Sequence, residues 1–546
     1  MTVVPAAARP PWMARTVRSW IESFQRFAGG LGLVALAVSG CQKRDGGQDL
    51  VIAATGEPET LVPPLITASV GRDIADLVYE RLAVLRTGAS PIDTTGFQPG
   101  LAASWTRVDS LTWRFTLRPG AAWQDGQPVT VDDVIFSFNA YVDTSLGGPA
   151  AQALGGVTVG RAGPDVEVRF PRAYPEQLYD ATSQVRIMPR HLWDSIPRSR
   201  WGADSSVGLL AGSGRYRITK WVRGQSLIAE RVRGDGFQRI AWRFTGDQDA
   251  ALSLVLAGEA DLLETLTSPS ARDRAGRDST VRLEPYPSAV YGFLGFRVAD
   301  SAGTPHPILG DRLVRQALTH AIDRASLVKA VIGPDAAVPP GPVSRAAWIW
   351  NDSVTVLGYD PSEAKRLLDR AGWPVGPDGV RRRGGRPLAI ELLVPSTSTA
   401  RKQLAEGIEQ MWKAVGVGAT IAAVDFPVFQ ERLGSGRYDA MVGAWLDEPS
   451  PRSLADQWTK AGFGALNQGR YFDPRFDSLF AAASNAPTPA AARPLWKAAF
   501  DTLNAGAPAV FLYSPTNVLV ASRRLSGVTI DPFAWLHEVA AWRKSP

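Results

Sequence analysis

Catalysis and metal binding need histidine, cysteine and carboxylate side chains at short spacing, and this chain of 546 residues is sparing with the first two. Its four histidines, His191, His306, His320 and His537, stand apart from one another, and its single cysteine is Cys41. A metal ion held by side chains alone wants clustered ligands, so scattered histidines argue against one. His537-Glu538 lacks the second histidine of a zinc-protease helix. There is no phosphate-cradling P-loop and no G-x-S-x-G elbow to present a nucleophile. A Ser-His-Asp set assembled from distant segments is the one catalytic arrangement left open, and no spacing points to it.

Cys41 has a more informative context. Arg9, Arg15, Arg18 and Arg26 precede an apolar stretch from Phe27 to Gly40 that ends at the cysteine. A helix needs roughly twenty residues to cross a bilayer core, and this stretch is shorter. It has the length of the apolar region of an export signal. Val38, Ser39 and Gly40 ahead of Cys41 resemble the lipobox of bacterial lipoproteins. That resemblance implies removal of residues 1–40 as a signal peptide, diacylation of the Cys41 thiol and attachment to a membrane through the lipid. It places the mature protein in the periplasm or on the outer face of the cell membrane. No thiol would then remain to mispair in an oxidising compartment. An ordinary signal peptide, or a buried helix with an incidental cysteine, is the competing reading. Residues 41–48 read as a polar tether, and the folded body is expected to begin near Asp49.

The chain is too long for one ordinary core, and 45% hydrophobic with 21% charged residues is the composition of a folded protein with at least two lobes. Its 18 tryptophans suit a ligand cleft or core packing, and packing accounts for most of them. The formal net charge of +6 falls to +3 without residues 1–40, which gives no footprint for nucleic acid. The dense run Arg381-Arg382-Arg383 lies between turn residues and a strand-like segment, where a solvated hairpin or loop is expected.

Periodicity supplies the elements that must position any site. Leu111, Trp113, Phe115 and Leu117 alternate with polar residues as a half-buried strand does. Thr130 and Asp133 have the spacing of a capping box at a helix start. Ile390 to Val394 reads as a strand, Leu404 to Val415 as a helix, and Thr420 to Val424 as a second strand, which together predict locally parallel sheet. Asp360, Pro361 and Glu363 mark another capped helix, with Gly372 placed to stop it.

Several blocks, in one order, resemble the extracytoplasmic solute-binding proteins of peptide, dipeptide and nickel ABC importers. The most specific runs from Pro99-Gly100-Leu101-Ala102 through Ser104-Trp105, Trp113-Arg114-Phe115 and Leu117-Arg118-Pro119-Gly120 to Trp123, Asp125-Gly126, Thr130 and Asp132-Asp133-Val134. Gly212-Ser213-Gly214-Arg215-Tyr216, Gly258-Glu259-Ala260-Asp261, Val314 to Leu318 with Ala321 to Arg324, and Tyr359-Asp360-Pro361 with Ala371-Gly372-Trp373 follow.

The resemblance implies an α/β, two-lobed periplasmic-binding-protein fold of the large class, with an extra subdomain and two crossing segments. The first lobe would comprise 49–284 and 507–546, with its subdomain at about 71–205, and the second lobe 285–506. Crossings would lie near Pro285-Tyr286 and Ala507-Pro508. A monomer of this kind would capture an oligopeptide or similar small solute between its lobes and deliver it to the permease of an ABC importer, without a cofactor.

In peptide-binding members an Asp of the second lobe pairs with the ligand's α-amino group. Trp445-Leu446-Asp447 carries that resemblance, with one residue fewer between Trp and Asp than the family commonly has. Asp447 is thus the candidate ammonium partner, with Glu448 as its alternative, and Trp445 a candidate wall. Glu57 lies in a segment resembling the family's first strand, which faces the cleft. Tyr291, Trp348 and Trp350 are cleft candidates by position, with core packing the competing role for each. Arg297 stands where the family often has Asn. A metal bound in a small organic chelate, a surface sensor reusing the fold and, less favoured, a hydrolase are the alternative functions.

Overall fold

The computed structural model describes residues 49–545 apart from 149, 152–153 and 203–205, so Cys41 and the segments around it lie outside the described residues. Two mixed sheets carry the fold. The first has seven strands, in spatial order Val281–Pro287 (β12), Thr516–Ser522 (β20), Leu262–Leu263 (β11), Asp49–Ala54 (β1), Arg239–Phe244 (β10), Ser226–Arg231 (β9) and Tyr216–Val222 (β8). The central strand β1 runs parallel to β10 and β11. Its alternation serves two layers: Leu50 and Ile52 pack with Tyr216 and Trp242, while Ala53 packs with Leu252 and Val520. Strands buried on both faces are what a parallel centre requires.

The second sheet has five strands, in order Gly418–Val424 (β17), Ala389–Pro395 (β16), Ala440–Leu446 (β18), Val290–Phe296 (β13) and Ala509–Tyr513 (β19). β16 is parallel to both neighbours, and the helix Thr399–Lys413 connects it to β17, as the sequence pattern predicts. Leu392, Val394 and Val442 face Leu404, Ile408 and Trp412 on one side of this sheet. Tyr291, Phe293 and Met441 face Trp458 and Trp496 on the other.

A third, four-stranded sheet, Ala102–Arg107 (β4), Thr112–Leu117 (β5), Asp165–Arg169 (β7) and Thr158–Ala162 (β6), builds a subdomain on the first lobe. Its helix α2, Val131–Tyr141, begins at the expected capping box: Asp133 accepts from the Thr130 N–H at 2.8 Å, and Thr130 Oγ1 accepts from the Asp133 N–H at 3.4 Å. The subdomain core runs from Leu82 to Ile187. Helix α1, Ser69–Val78, which the expected boundary near 71 divides, packs through Ile74 and Val78 against the seven-stranded sheet instead. Of the tryptophans, Trp193, Trp201, Trp242, Trp373, Trp412, Trp496 and Trp542 are among the largest fully buried side chains.

The chain changes sheet between β12 and β13, at Ser288-Ala289, and returns between β19 and β20, at Ser514-Pro515. Both places lie beyond the prolines expected to mark them. Pro285 and Pro287 are accommodated inside β12 because it is an edge strand, where a missing N–H costs no ladder bond. Ala507 is instead the left-handed cap (φ 48°) of the helix Pro489–Gly506. The crossings touch one another, with the Ser288 N–H donating to the Pro515 carbonyl at 3.1 Å.

The arginine run does form a hairpin, Arg382–Arg383 (β14) with Arg386–Pro387 (β15), but Arg381 is not solvated. Its guanidinium is buried, donating to the carbonyls of Val415 and Trp373 at 2.8 and 2.6 Å and to Asp369 at 2.5 Å. Arg381 closes the open end of the helix–strand layer, a role that a run of like charges does not reveal.

Candidate functional site

β18 carries Met441, Val442 and Gly443 in the core and emerges at Leu446, which is 54% exposed. The next residue turns inward again: Asp447 is only 7% exposed. Its position is fixed from both crossings. The Asp447 N–H donates to the carbonyl of Ala289 at 2.6 Å, and Asp447 Oδ2 accepts from the Ser344 N–H at 2.5 Å. The neighbouring Arg345 N–H donates to Ser514 Oγ at 2.9 Å. The carboxyl thus stands where the two lobes join, at the C-terminal end of a parallel strand, which is where open α/β sheets bind ligands.

No cation is within ion-pair distance of Asp447 among the described residues. Burial pushes its pKa up to about 7, against the lowering effect of the Ser344 N–H, and the charge of Glu448 adds to the rise. Glu448 is itself raised by desolvation, countered chiefly by Arg72 of α1 in the first lobe. Glu448 is exposed and lines a small cavity together with Asp447, Val343, Ala347 and Ile349. A carboxyl in this setting gains from an incoming ammonium both a charge-assisted hydrogen bond and relief of its desolvation.

The remaining candidates divide. Trp445, two residues before Asp447 in the chain, is half-buried and stacks on Phe293 at 6.5 Å between centroids. Tyr291, its cross-strand partner, is wholly buried: its hydroxyl donates to Gln457 and accepts from the Trp458 indole at 3.1 Å, so it supports the site from the core. Trp348 and Trp350 pack on the same core, Trp348 under Arg493 and Trp350 bonded to Asp352 at 2.8 Å. Glu57 is committed within the first lobe, accepting from the Trp221 indole and the Gly224 N–H at 2.7 Å each. Arg297 donates to the carbonyl of Tyr438 at 2.5 Å.

Sequence reasoning passed over Ser344, which acts through its backbone N–H, over Ser514, which accepts through its hydroxyl, and over Arg452, which reaches Glu176 and Asp180 of the subdomain. Glu176 and Asp180 are four residues apart, so they share a helix face, but nothing in the sequence says what faces them. The histidines remain dispersed: His191 meets Asp125 at 2.6 Å, His306 meets Asp439 at 2.9 Å, His320 meets the Gly358 carbonyl at 2.7 Å and His537 meets Gln98 at 3.1 Å. Among the described residues no group of three His, Cys, Asp or Glu is placed to hold a metal ion, and no helix is long and apolar enough to cross a membrane.

Two sheets, two adjoining crossings and a desolvated carboxyl between them set the comparison with known proteins. The middle region of the bacterial extracellular solute-binding proteins, family 5, matches residues 96–464. The chain belongs to this family. Its two-lobed architecture recurs in family 5 structures of AppA from Bacillus subtilis in complex with a nonapeptide (TM-score 0.73, 21% identity, 92% of this chain and 99% of that one) and NikZ from Campylobacter jejuni with Ni(L-His) (TM-score 0.73, 22% identity, 91% and 99%). The dipeptide-binding protein of Escherichia coli is 24% identical over 548 residues, covering 93% of this chain and 96% of its own. Membership makes this an extracytoplasmic solute-binding protein, and the solute's chemistry is to be read from its own cleft.

Proposed function

We propose that this protein captures a short peptide, or a solute built like one, by its free ammonium group, and hands it to the permease of an ABC importer. The observation that carries the reading is Asp447: a buried carboxyl without a cation, bonded to the backbone where the lobes join. AppA bound to a nonapeptide and the dipeptide-binding protein of E. coli are relatives along nearly the whole chain, which supports a peptide over other amines. Capture proceeds without chemical conversion of the ligand. A single chain suffices, since both lobes and both crossings come from it. A lipid on Cys41 holds the protein at the membrane.

Only contacts made to both lobes at once favour closure over the open form. In this reading Asp447 and Trp445 orient the ligand's amino end on the second lobe, and the ligand's remainder meets the first lobe as the cleft shuts. The test is native mass spectrometry of gently purified protein before and after denaturation. The expected result is a set of released peptide masses that disappears in Asp447→Ala. One discrete compound without an amino group would overturn the ammonium role and leave family 5 membership untouched.

A further inference from the structure

The loop that leaves Asp447 faces the first lobe with a second set of charges. Arg452 Nε donates to Glu176 Oε2 at 2.6 Å, and its Nη2 donates to Asp180 Oδ2 at 2.6 Å. Ser450 Oγ also donates to Glu176, and the Tyr174 hydroxyl donates to Asp180 at 2.7 Å. The Arg452 guanidinium lies 4.6 Å from the centroid of the Tyr174 ring. Glu176 and Asp180 are 1% and 0% exposed and flank the start of α3, Gln177–Ser183, in the subdomain. Arg452 is the one cation within ion-pair distance of either, among the described residues, and it comes from the other lobe.

Two desolvated carboxylates with no ion pair from their own lobe, where Arg172 acts on Asp180 only at longer range, are costly as long as the opposite lobe covers them without supplying a charge. Arg452 supplies it through two hydrogen bonds and an aromatic face, the geometry for which arginine is suited. When the lobes part, water reaches all three groups, so the contact can break and reform without stranding a charge. The surroundings agree: Ile92, on the loop between the paired strands Ala83–Leu85 (β2) and Phe97–Pro99 (β3), is buried in the second lobe's apolar cluster with Val343 and Ile349. The charge of Arg72, in the first lobe, also acts on Glu448 across the same seam.

We propose that Arg452, Glu176 and Asp180 form a clasp that holds the two lobes closed in the absence of ligand. Arg452 is then a positioning residue of capture, acting through lobe closure. Because ligand enters only the open form, the clasp slows association and dissociation together. It tightens apparent affinity in proportion to the closed fraction. None of this depends on the ligand being a peptide.

Small-angle X-ray scattering of the purified protein, freed of co-purified ligand by unfolding and refolding, tests it. The ligand-free wild type is expected to scatter as the compact closed form. Arg452→Met, and separately Glu176→Gln with Asp180→Asn, are expected to enlarge the radius of gyration while retaining the near-ultraviolet circular dichroism of a packed core. A ligand-free wild type as expanded as the variants, or folded variants as compact as the wild type, overturns the clasp. Should a variant fail to fold, the wild-type profile and the variant on the opposite lobe decide.

Discussion

Asp447 and Arg452 lie five residues apart on one loop, and both belong to buried ionic sites, yet the two sites are opposites. At Arg452 two buried carboxylates are matched by a guanidinium and two hydroxyl donors. At Asp447 one buried carboxyl is met by Ser344, through its backbone N–H, and by no cation within ion-pair distance among the described residues. A compensated cluster tells of something the fold does for itself. An uncompensated one is a candidate for charge balance completed from outside.

That contrast can be broken at several points, and the largest effect is expected at the uncompensated site. Asp447→Ala should weaken binding of a captured peptide by about 100-fold or more, the scale of losing one partner of a buried charge pair. Isothermal titration checks it, and an unchanged affinity would remove Asp447 from the site.

Next in size is a proton effect. The Asp447 carboxyl titrates near about 7 without ligand, and an ammonium partner must lower that value, because it favours the charged form. Binding therefore releases a proton below neutrality. Affinity should weaken about tenfold per pH unit as pH falls below about 7, and level off above it. Asp447→Asn should flatten the profile. A wild-type affinity flat between pH 5 and 8 contradicts an ionised Asp447 partner.

The compensated site should respond more gently and in a different observable. Arg452→Met should speed both association and dissociation in stopped-flow fluorescence while affinity weakens by roughly tenfold or less. A change confined to dissociation would indicate direct ligand contact instead. Smallest of all, Glu57→Gln should alter peptide affinity by less than about twofold, because its carboxylate is spent on Trp221 and Gly224; a larger loss would return it to the cleft.

The sequence was most legible where local physics is self-sufficient. The Thr130 capping box, the strand β5 and each element of the strand–helix–strand unit around Leu404 announce themselves within a short run of residues, because caps and periodicity are short-range. Asp447 was reachable through resemblance, but its burial and its bond to Ser344, more than a hundred residues away, were not. The bonds of Glu57 were hidden for the same reason: its partners sit over 160 residues further along. Tyr291 and the tryptophans at 348 and 350 show the limit of position as a guide, since an aromatic beside a cleft and one beneath it look alike in one dimension. Proline is a poor marker of a hinge here because an edge strand accommodates it.

The hydrogen-bonded pair of crossings has a mechanical consequence. Since Asp447 is bonded to Ala289 and the adjoining Arg345 to Ser514, the proposed ammonium site stands at the fulcrum, while the proposed clasp reaches across to the subdomain. A group at a fulcrum travels little as the arms swing, so the ligand's amino end can be gripped in the open jaw and remain gripped through the whole stroke.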